Sequence, residues 1–253
     1  MTAGRESAVR VGLVYPELLG TYGDRGNAVV LVQRLQWRGR DAELVEVPAG
    51  EPIPDSLDVY LFGGGEDDPQ SMAAAGMRAS AANVQRAREN GAVVLAVCAG
   101  FQLIGHRYDT PDGESIEGLG LVDAVTRPGG SRLIGEVVVE PGDRSLPRLT
   151  GFENHGGRTS LGAGERPLGR VVTGGGNGDG HDGVRGERLI GTYLHGPVLP
   201  RNPALADLLL SWVLGDLVPL DSQPEEELRA DRVAAGSATG LRRWWQDRQL
   251  ARG

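Results

Sequence analysis

The feature that most constrains the fold of this chain is a regular alternation of short apolar runs with helical segments in its first part. Each run is rich in apolar residues, and the run 91–97 is almost continuously apolar, as expected for a strand that is buried on both faces. The runs lie at residues 9–15, 42–47, 57–62 and 91–97. Between them, residues 27–38 and 70–90 have the composition of helices. Strands that alternate with helices predict an α/β fold, in which helices flank a mostly parallel central sheet.

The second half of the chain has a different pattern. Its predicted strands are shorter and are separated by glycine and proline, which favours a smaller antiparallel section. These strands lie at residues 122–126, 135–140, 169–173 and 188–194. The glycine-rich stretch 173–185 has acids out of EF-hand register, so we predict a long flexible hairpin tip there. An amphipathic helix is predicted over 202–214. The simplest organisation is one domain over residues 1–220, followed by a charged helical extension over 221–253.

Charge and residue usage exclude several functional classes. Acidic residues outnumber basic ones by 34 to 26, a formal net charge of −8, which is opposite to the balance of a protein that grips nucleic-acid phosphates. Every residue in the basic count is arginine, which excludes lysine Schiff bases and a Walker lysine. A lone cysteine, with no secretory leader and no run of about 18 apolar residues, predicts a protein of the cytoplasm.

Cys98 is the position with the most chemical information. It lies where the apolar run 91–97 ends and a helix is expected to begin, and the small residues Ala99 and Gly100 follow it. Small neighbours permit the sharp strand-to-helix turn that holds a nucleophile above the edge of a sheet. A helix N-terminus also favours an anion, here the thiolate. The alternative is a packed core cysteine, because free cysteines are often fully buried.

A cysteine nucleophile requires a base within hydrogen-bond reach, and histidine is the usual choice. His195 follows the predicted strand 188–194 and precedes a Gly-Pro pair, so it also lies at a strand end. His155 is the competing candidate, while His106 and His181 are predicted to lie at the surface. On the residues alone we favour His195 over His155, and both stay open.

Three consecutive glycines, Gly63 to Gly65, directly follow the apolar run 57–62. Glycine accepts backbone dihedral angles that strain other residues, so these amides would be free to turn towards a developing oxyanion. An ordinary turn is the better explanation of the triplet taken by itself. Its expected position, at a strand end beside that of Cys98, is what favours the chemical interpretation.

Five segments together resemble the class I, or triad-type, glutamine amidotransferases, whose fold is flavodoxin-like. Residues 97–102 match their C-x-G-x-Q elbow after a strand, and the other segments are similar to the cobyric-acid-synthase-like branch. Within that branch, the resemblance is to glutaminase subunits of lipid II isoglutaminyl synthase. The segments are YPELLGTYGDRGN (15–27), LFGGGEDD (61–68), VCAGFQLIG (97–105), FENHGGRT (152–159) and GTYLHGPVLPRNP (191–203).

The resemblance implies a role for each matching residue. Cys98 is implied as the nucleophile and His195 as its base. The backbone amides of Gly64 and Ala99 are implied to hold the oxyanion. Arg132 is implied to bind the carboxylate of glutamine, a task for which a planar, two-pronged guanidinium is well suited.

One position departs from the family pattern. Many class I relatives have a glutamate two residues after the histidine, where this chain has Pro197. The chain then supplies only a Cys–His dyad. Either no orienting carboxylate is required, or one comes from elsewhere, such as a partner subunit. The resemblance leaves His155 a structural role or a place in the pocket wall.

The resemblance also implies a division of labour between two proteins. This chain would hydrolyse L-glutamine through a Cys98 thioester and pass ammonia to a MurT-type Mur ligase homologue in a heterodimer. That partner would bind ATP, magnesium and lipid II, and would amidate the D-glutamate of lipid II; no cofactor or metal is expected in this chain. The alternatives are an amidotransferase subunit for a cobyrinate-like acceptor, a PfpI-type cysteine hydrolase, and a non-catalytic subunit on the same scaffold.

Overall fold

A computed structural model describes residues 7–21, 23–65 and 67–250, with the side chains of 67–69 and 237–250 outside the description. In chain order the elements are β1 Val9–Val14, α1 Arg25–Trp37, β2 Ala42–Val47, β3 Val59–Phe62, α2 Asp67–Ala79, α3 Ala81–Glu89, β4 Val93–Val97, α4 Ala99–Ile104, β5 Arg107–Asp109, β6 Ser115–Glu117, β7 Ala124–Pro141, β8 Leu149–Leu161, β9 Gly169–Thr173, β10 His181–Asp182, β11 Val184–Gly186, β12 Leu189–Thr192, α5 Val198–Arg201, α6 Pro203–Leu214 and α7 Gln223–Leu250.

The main sheet has the strand order β11-β12-β4-β3-β1-β2. All neighbouring pairs are parallel except β11 with β12 at one edge. Side chains of β4 alternate between the two faces: Val93 and Leu95 join the core under α1 and α6, whereas Val94 and Ala96 join the core under α2, α3 and α4. Both faces are therefore buried, and the predicted α/β fold with a mostly parallel sheet is confirmed.

The second sheet has the order β10-β9-β7-β5-β6, and β8 pairs with β7 along its length. Its pairings are antiparallel apart from β5 with β7. Most of the predicted strand 122–126 and all of 135–140 lie in the single strand β7, so the turn expected between them is wrong. The glycines there form a bulge between Pro128 and Leu133 instead. The partner strand β8 was not predicted.

Two further sequence predictions are corrected by long-range pairing. The run 188–194 was placed in the antiparallel section, but its β12 lies in the main sheet, parallel to β4 and antiparallel only to β11. The stretch 173–185 is a folded connection and not a flexible tip. Within it, the buried side chain of Asn177 donates to the Gly183 carbonyl and accepts the Gly183 amide, which closes the loop on itself.

The C-terminal helix α7 begins at Gln223, and its first part packs across β7, β8 and β9. Thr173 donates to the carbonyl of Gly236, and Arg229 donates to the carbonyl of Arg148. The side chains of residues 241–245, which include two tryptophans, lie outside the description. In the part of the chain that is described, no helix has the length and apolar character needed to cross a membrane.

Candidate active site

Cys98 forms the turn between β4 and α4. Its φ of 53° and ψ of −109° are strained for a residue with a side chain. The Cys98 amide donates to the Thr192 carbonyl at 2.9 Å, and the Gly100 amide donates to the Gly63 carbonyl at 2.9 Å. A Cβ at Gly100 would lie 2.5 Å from the Phe62 carbonyl oxygen, so only glycine lets α4 pack this closely on β3. The strand-to-helix turn predicted at Cys98 is confirmed, and its geometry is that of a nucleophile elbow.

His195 leaves the main sheet beside Cys98. Strand β12 pairs in parallel with β4 and places Thr192 opposite Val97, so the residues that follow both strands emerge at the same edge. His195 is 1% exposed, and its backbone exchanges two 2.9 Å hydrogen bonds with Phe152 of β8. The Phe152 ring contacts the imidazole edge-to-face, with 5.8 Å between ring centroids. The sequence-predicted nucleophile and base are thus brought to one place.

The surroundings of His195 keep its imidazole neutral. Burial is the largest cause, and His155 the next, of a shift that lowers the pKa of His195 to about 4. Glu153 acts in the opposite direction, while the charges of Arg132 and Arg201 add to the lowering. A neutral imidazole at pH 7 is able to accept a proton, which a general base must do.

His155 is a supporting residue. Its Nδ1 lies 3.0 Å from the Gly157 carbonyl oxygen, a contact that requires the proton on Nδ1. Its ring stacks on Tyr193, with 3.7 Å between centroids and 11° between planes, and its Nε2 lies 3.4 Å from Glu153. Glu153 in turn accepts the Gly175 amide at 2.9 Å. These contacts fix His155 in a buried wall, which favours His195 as the base.

A chain of buried hydrogen bonds lies behind the elbow. Gln70 donates to Gln102 at 2.8 Å, and Gln102 donates to the Tyr193 hydroxyl at 3.3 Å. Thr159 bonds Tyr193 at 2.7 Å and Thr126 at 2.7 Å. Burial raises the pKa of Tyr193 to about 12, so its hydroxyl stays neutral. This network joins α4, beside the main sheet, to β7 and β8 of the second sheet. Its members Gln102, Thr159 and Tyr193 lie in the segments that resemble the family, whereas Gln70 and Thr126 do not.

The glycine triplet is required by close packing and not by unusual dihedral angles. Neither Gly63 nor Gly65 has a positive φ. Instead, a Cβ at Gly63 would lie 2.0 Å from the Leu19 carbonyl oxygen, and one at Gly65 would lie 2.5 Å from that of Leu18. The dihedral explanation offered from the sequence is therefore wrong, although the need for glycine is real. The triplet lies directly against the loop that follows β1.

The amide of Gly64 donates to Oδ2 of Asp24 at 2.7 Å. Burial raises the pKa of Asp24 to about 6, a rise that is limited by the hydrogen bonds from Gly64 and Asn27. Asp24 therefore remains mostly ionised at pH 7. A role of the Gly64 amide in binding an oxyanion stays a prediction, since in this structure its hydrogen is donated to Asp24.

Ala99 and Arg132 lie in different settings. Ala99 is buried at the first position of α4, directly after the nucleophile. Arg132 is exposed, in the bulge of β7, and its Nε donates to Oδ1 of Asn154 at 2.6 Å. Its charge reaches His195, whose pKa it helps to lower. Their proposed parts in holding the oxyanion and the glutamine carboxylate stay predictions.

Asp182 supports the segment that leads to His195, and sequence reasoning missed it. Its carboxyl is fully buried, accepts the Thr192 hydroxyl at 2.6 Å and accepts the Tyr193 amide at 3.2 Å. The same Thr192 hydroxyl accepts the Leu194 amide at 3.0 Å. Burial raises the pKa of Asp182 to about 7. An acid inside a glycine-rich stretch gives no sequence signal of this burial.

The acidic side chains around the site do not converge on a metal. Across the described ranges, no group of three or more His, Cys, Asp or Glu side chains is arranged to hold one. Asp24, Glu153 and Asp182 each accept hydrogen bonds from backbone amides instead.

The chain is similar in sequence to glutamine amidotransferases. The family model of the CobB/CobQ-like glutamine amidotransferase domain matches residues 10–203. The chain is 40% identical over 222 residues to the GatD subunit of lipid II isoglutaminyl synthase (glutamine-hydrolyzing) from Staphylococcus aureus, covering 85% of this chain and 90% of that protein. It is 36% identical over 210 residues to the Streptococcus pneumoniae GatD subunit, covering 81% and 80%. It is 32% identical over 176 residues to a cobyric acid synthase from Sphingopyxis alaskensis, of which it spans 35%.

Solved structures share the fold. The crystal structure of a glutamine amidotransferase has a TM-score of 0.54 at 20% identity, covering 80% of this chain and 98% of that one. PurLQS from Thermotoga maritima has a TM-score of 0.54 at 17% identity, covering 82% and 98%. At these identities the likeness concerns the arrangement of strands and helices alone.

Proposed function

Because the chain belongs to the CobB/CobQ-like glutamine amidotransferase family, we propose that it is the glutaminase subunit of a lipid II isoglutaminyl synthase. The observation that carries the proposal is the placement of Cys98 and His195 at one edge of the main sheet, after adjacent parallel strands. The acceptor is inferred from the GatD relatives, which this chain matches over most of their length.

The reaction is an acyl transfer through the cysteine. Cys98 gives its proton to His195, and its thiolate attacks the side-chain amide carbon of glutamine. The carbonyl oxygen becomes an oxyanion, which backbone amides of Ala99 and the glycine triplet stabilise. His195 returns the proton to the nitrogen, ammonia departs, and a glutamyl thioester remains on Cys98. Water, deprotonated by His195, then releases glutamate and restores the thiol.

Arg132 positions the substrate in this scheme. Its guanidinium already donates to the oxygen of a planar amide group, Oδ1 of Asn154, at 2.6 Å. The α-carboxylate of glutamine offers the same planar geometry with a full negative charge, so it is a stronger acceptor for that fork. Binding there would leave the side chain of glutamine to extend towards Cys98.

The second half of the reaction belongs to a partner. We propose that a MurT-type ligase, with ATP and magnesium, activates the D-glutamate carboxyl of lipid II and receives the ammonia in a cytoplasmic heterodimer. Pro197 occupies the position where many relatives have a glutamate, and it packs so closely on Gly26 that a Cβ there would lie 2.7 Å from the proline ring. An orienting carboxylate for His195 would therefore come from another segment or from the ligase.

The variant Cys98→Ser tests the proposal in the complex with the ligase. Glutamine-dependent amidation of lipid II should fall by at least about 10³-fold, because the nucleophile is lost. Amidation with ammonium chloride should persist, because the ligase half is intact. The variant His195→Ala should behave alike, and His106→Ala, at a histidine whose side chain is 55% exposed, should match the wild type. Equal loss with both nitrogen sources would contradict a glutaminase role.

A second candidate acceptor is a cobyrinate-like carboxylate, which the 32% identity to a cobyric acid synthase favours. Both candidates share the same nitrogen-releasing half, so glutamine hydrolysis does not separate them. Purifying the native complex and identifying the bound ligase does. A Mur-type ligase that amidates lipid II supports the first acceptor, and a cobyrinate-amidating partner supports the second.

A further inference from the structure

Residues 23–27, the Asp24 loop, lead from the end of the β1–α1 connection into the first turn of α1, and they touch the two parts of the candidate site that bear on catalysis. On one side, Asp24 accepts the Gly64 amide of the glycine triplet at 2.7 Å. On the other side, Oδ1 of Asn27 accepts the Leu199 amide at 2.9 Å, four residues after His195. The two loop side chains are joined, because Asn27 donates to the second oxygen of Asp24 at 3.2 Å. A single short loop thus spans from the glycine triplet to the histidine segment.

Packing reinforces this link. A Cβ at Gly26 would lie 2.7 Å from the ring of Pro197, so the loop and the histidine segment are in direct contact. Asp24 itself is buried, but its neighbours Gly23 and Arg25 are exposed. A contact made by these exposed residues could therefore shift Asp24, which is their direct neighbour in the chain.

The hydrogen bond between Asp24 and the Gly64 amide is incompatible with donation by that amide to the oxyanion of the substrate. A backbone amide has one hydrogen, and here a carboxylate holds it. A developing oxyanion on the substrate would also be repelled by the charge of Asp24 if both approached the same amide. The amide therefore serves either Asp24 or the substrate at a given moment.

We propose that Asp24 is a latch on the oxyanion site: it holds the Gly64 amide in the free chain and releases it when glutamine is attacked. The inference rests on the proposed glutaminase function and concerns the regulation of that same site. Asn27 and the Gly26–Pro197 contact tie the latch to the histidine segment. Movement of that segment, or of the exposed face of the loop, is then the event that frees Gly64.

Steady-state glutamine hydrolysis by the full free chain tests the latch. The variant Asp24→Ala should raise kcat about 10-fold with KM changed less than about 2-fold, because one oxyanion donor is worth roughly 10²–10³ in kcat. Asp24→Asn keeps a weaker, neutral acceptor and should give a smaller rise. The matched control is Asp58→Asn, since Asp58 also accepts a backbone amide at 2.7 Å, that of Arg10, at the other end of β3. Its kcat should equal that of the wild type.

A structural readout keeps the test independent of variant stability. Wild-type chain is treated with glutamate γ-semialdehyde, an aldehyde that Cys98 would convert to a tetrahedral thiohemiacetal, and the adduct is crystallised. The latch requires Gly64 N to bond the adduct oxygen and to lie beyond hydrogen-bond distance of Asp24. An adduct in which Gly64 still bonds Asp24, or a folded Asp24→Ala chain with unchanged or lower kcat, overturns the latch while leaving the glutaminase intact. Absence of both adduct and hydrolysis in the wild-type complex would instead refute the glutaminase function, and the latch with it.

Discussion

Replacing Asp182 by asparagine tests whether a protonated carboxyl lies beneath the segment that carries His195. Asp182 is 0% exposed, and its two oxygens accept the Thr192 hydroxyl and the Tyr193 amide. Burial raises its pKa from 3.8 to about 7. Asparagine has nearly the same shape and cannot ionise, so the variant isolates the effect of that ionisation.

The pKa shift sets the sign and size of the expected effect. Between about pH 4 and the native pKa near 7, the carboxyl is ionised in the unfolded chain and protonated in the native one. In this window each rise of one pH unit stabilises the unfolded state relative to the native state by about 1.4 kcal/mol. Across the whole window the free energy of unfolding falls by about 4 kcal/mol, and it stays lower above the native pKa. The Asp182→Asn variant should lack this fall.

Urea unfolding at about pH 5 and about pH 8 measures the difference. Going from the lower to the higher pH, the wild type should lose about 3 kcal/mol more than Asp182→Asn, since about two pH units below the native pKa are crossed. Other groups, such as Asp24 with its pKa near 6, cancel because both proteins contain them. If the substitution alters hydrogen bonds, it lowers the free energy of unfolding of the variant equally at both pH values, so this effect also cancels. Parallel pH dependence in the two proteins would refute the reasoning.

Two remaining predictions concern catalysis. With the pKa of His195 at about 4, kcat/KM for glutamine in the complex should stay level down to about pH 5, and a pH–rate profile that falls to half near pH 6.5 would contradict a buried neutral base. Gly100→Ala places a Cβ 2.5 Å from the Phe62 carbonyl oxygen. It should lower kcat by about 10-fold and the free energy of unfolding by about 1–3 kcal/mol. The control Gly164→Ala, whose Cβ would lie in open space, should change neither quantity.

The main sheet was predictable because its signals are local. The strand predicted at 42–47 has those bounds in the structure, and the run 91–97 contains the whole of β4. The continuous apolar run 91–97 marks a strand that is buried on both faces, whereas 42–47, with two glutamates, is a partly exposed strand at the edge of the sheet. The turn at Cys98 was predictable for the same reason, since the small residues that allow it follow directly in the chain.

The supports of the site were not predictable, because they depend on contacts between distant residues. Asp24 and Gly64 are 40 positions apart, and Thr150 and Asn202, which bond each other twice, are 52 apart. Neither pair has a local pattern. Strand β8 was missed because glycine and polar residues interrupt it, and its alternating burial becomes visible only once β7 lies beside it. Sequence reasoning therefore identified the proposed nucleophile and base, Cys98 and His195, and missed the contacts that hold them.

The position of His195, the proposed base, depends on the second sheet as well as on the first. His195 follows β12 of the main sheet, but its backbone is held by Phe152 of β8 through two hydrogen bonds. The adjoining Gly151 is so close to Leu194 that a Cβ there would lie 2.9 Å from the leucine side chain. The backbone amide of Cys98, in contrast, donates to the Thr192 carbonyl of the main sheet. A shift of β8 would therefore move His195 relative to Cys98, so the antiparallel section helps to set the alignment of the proposed dyad.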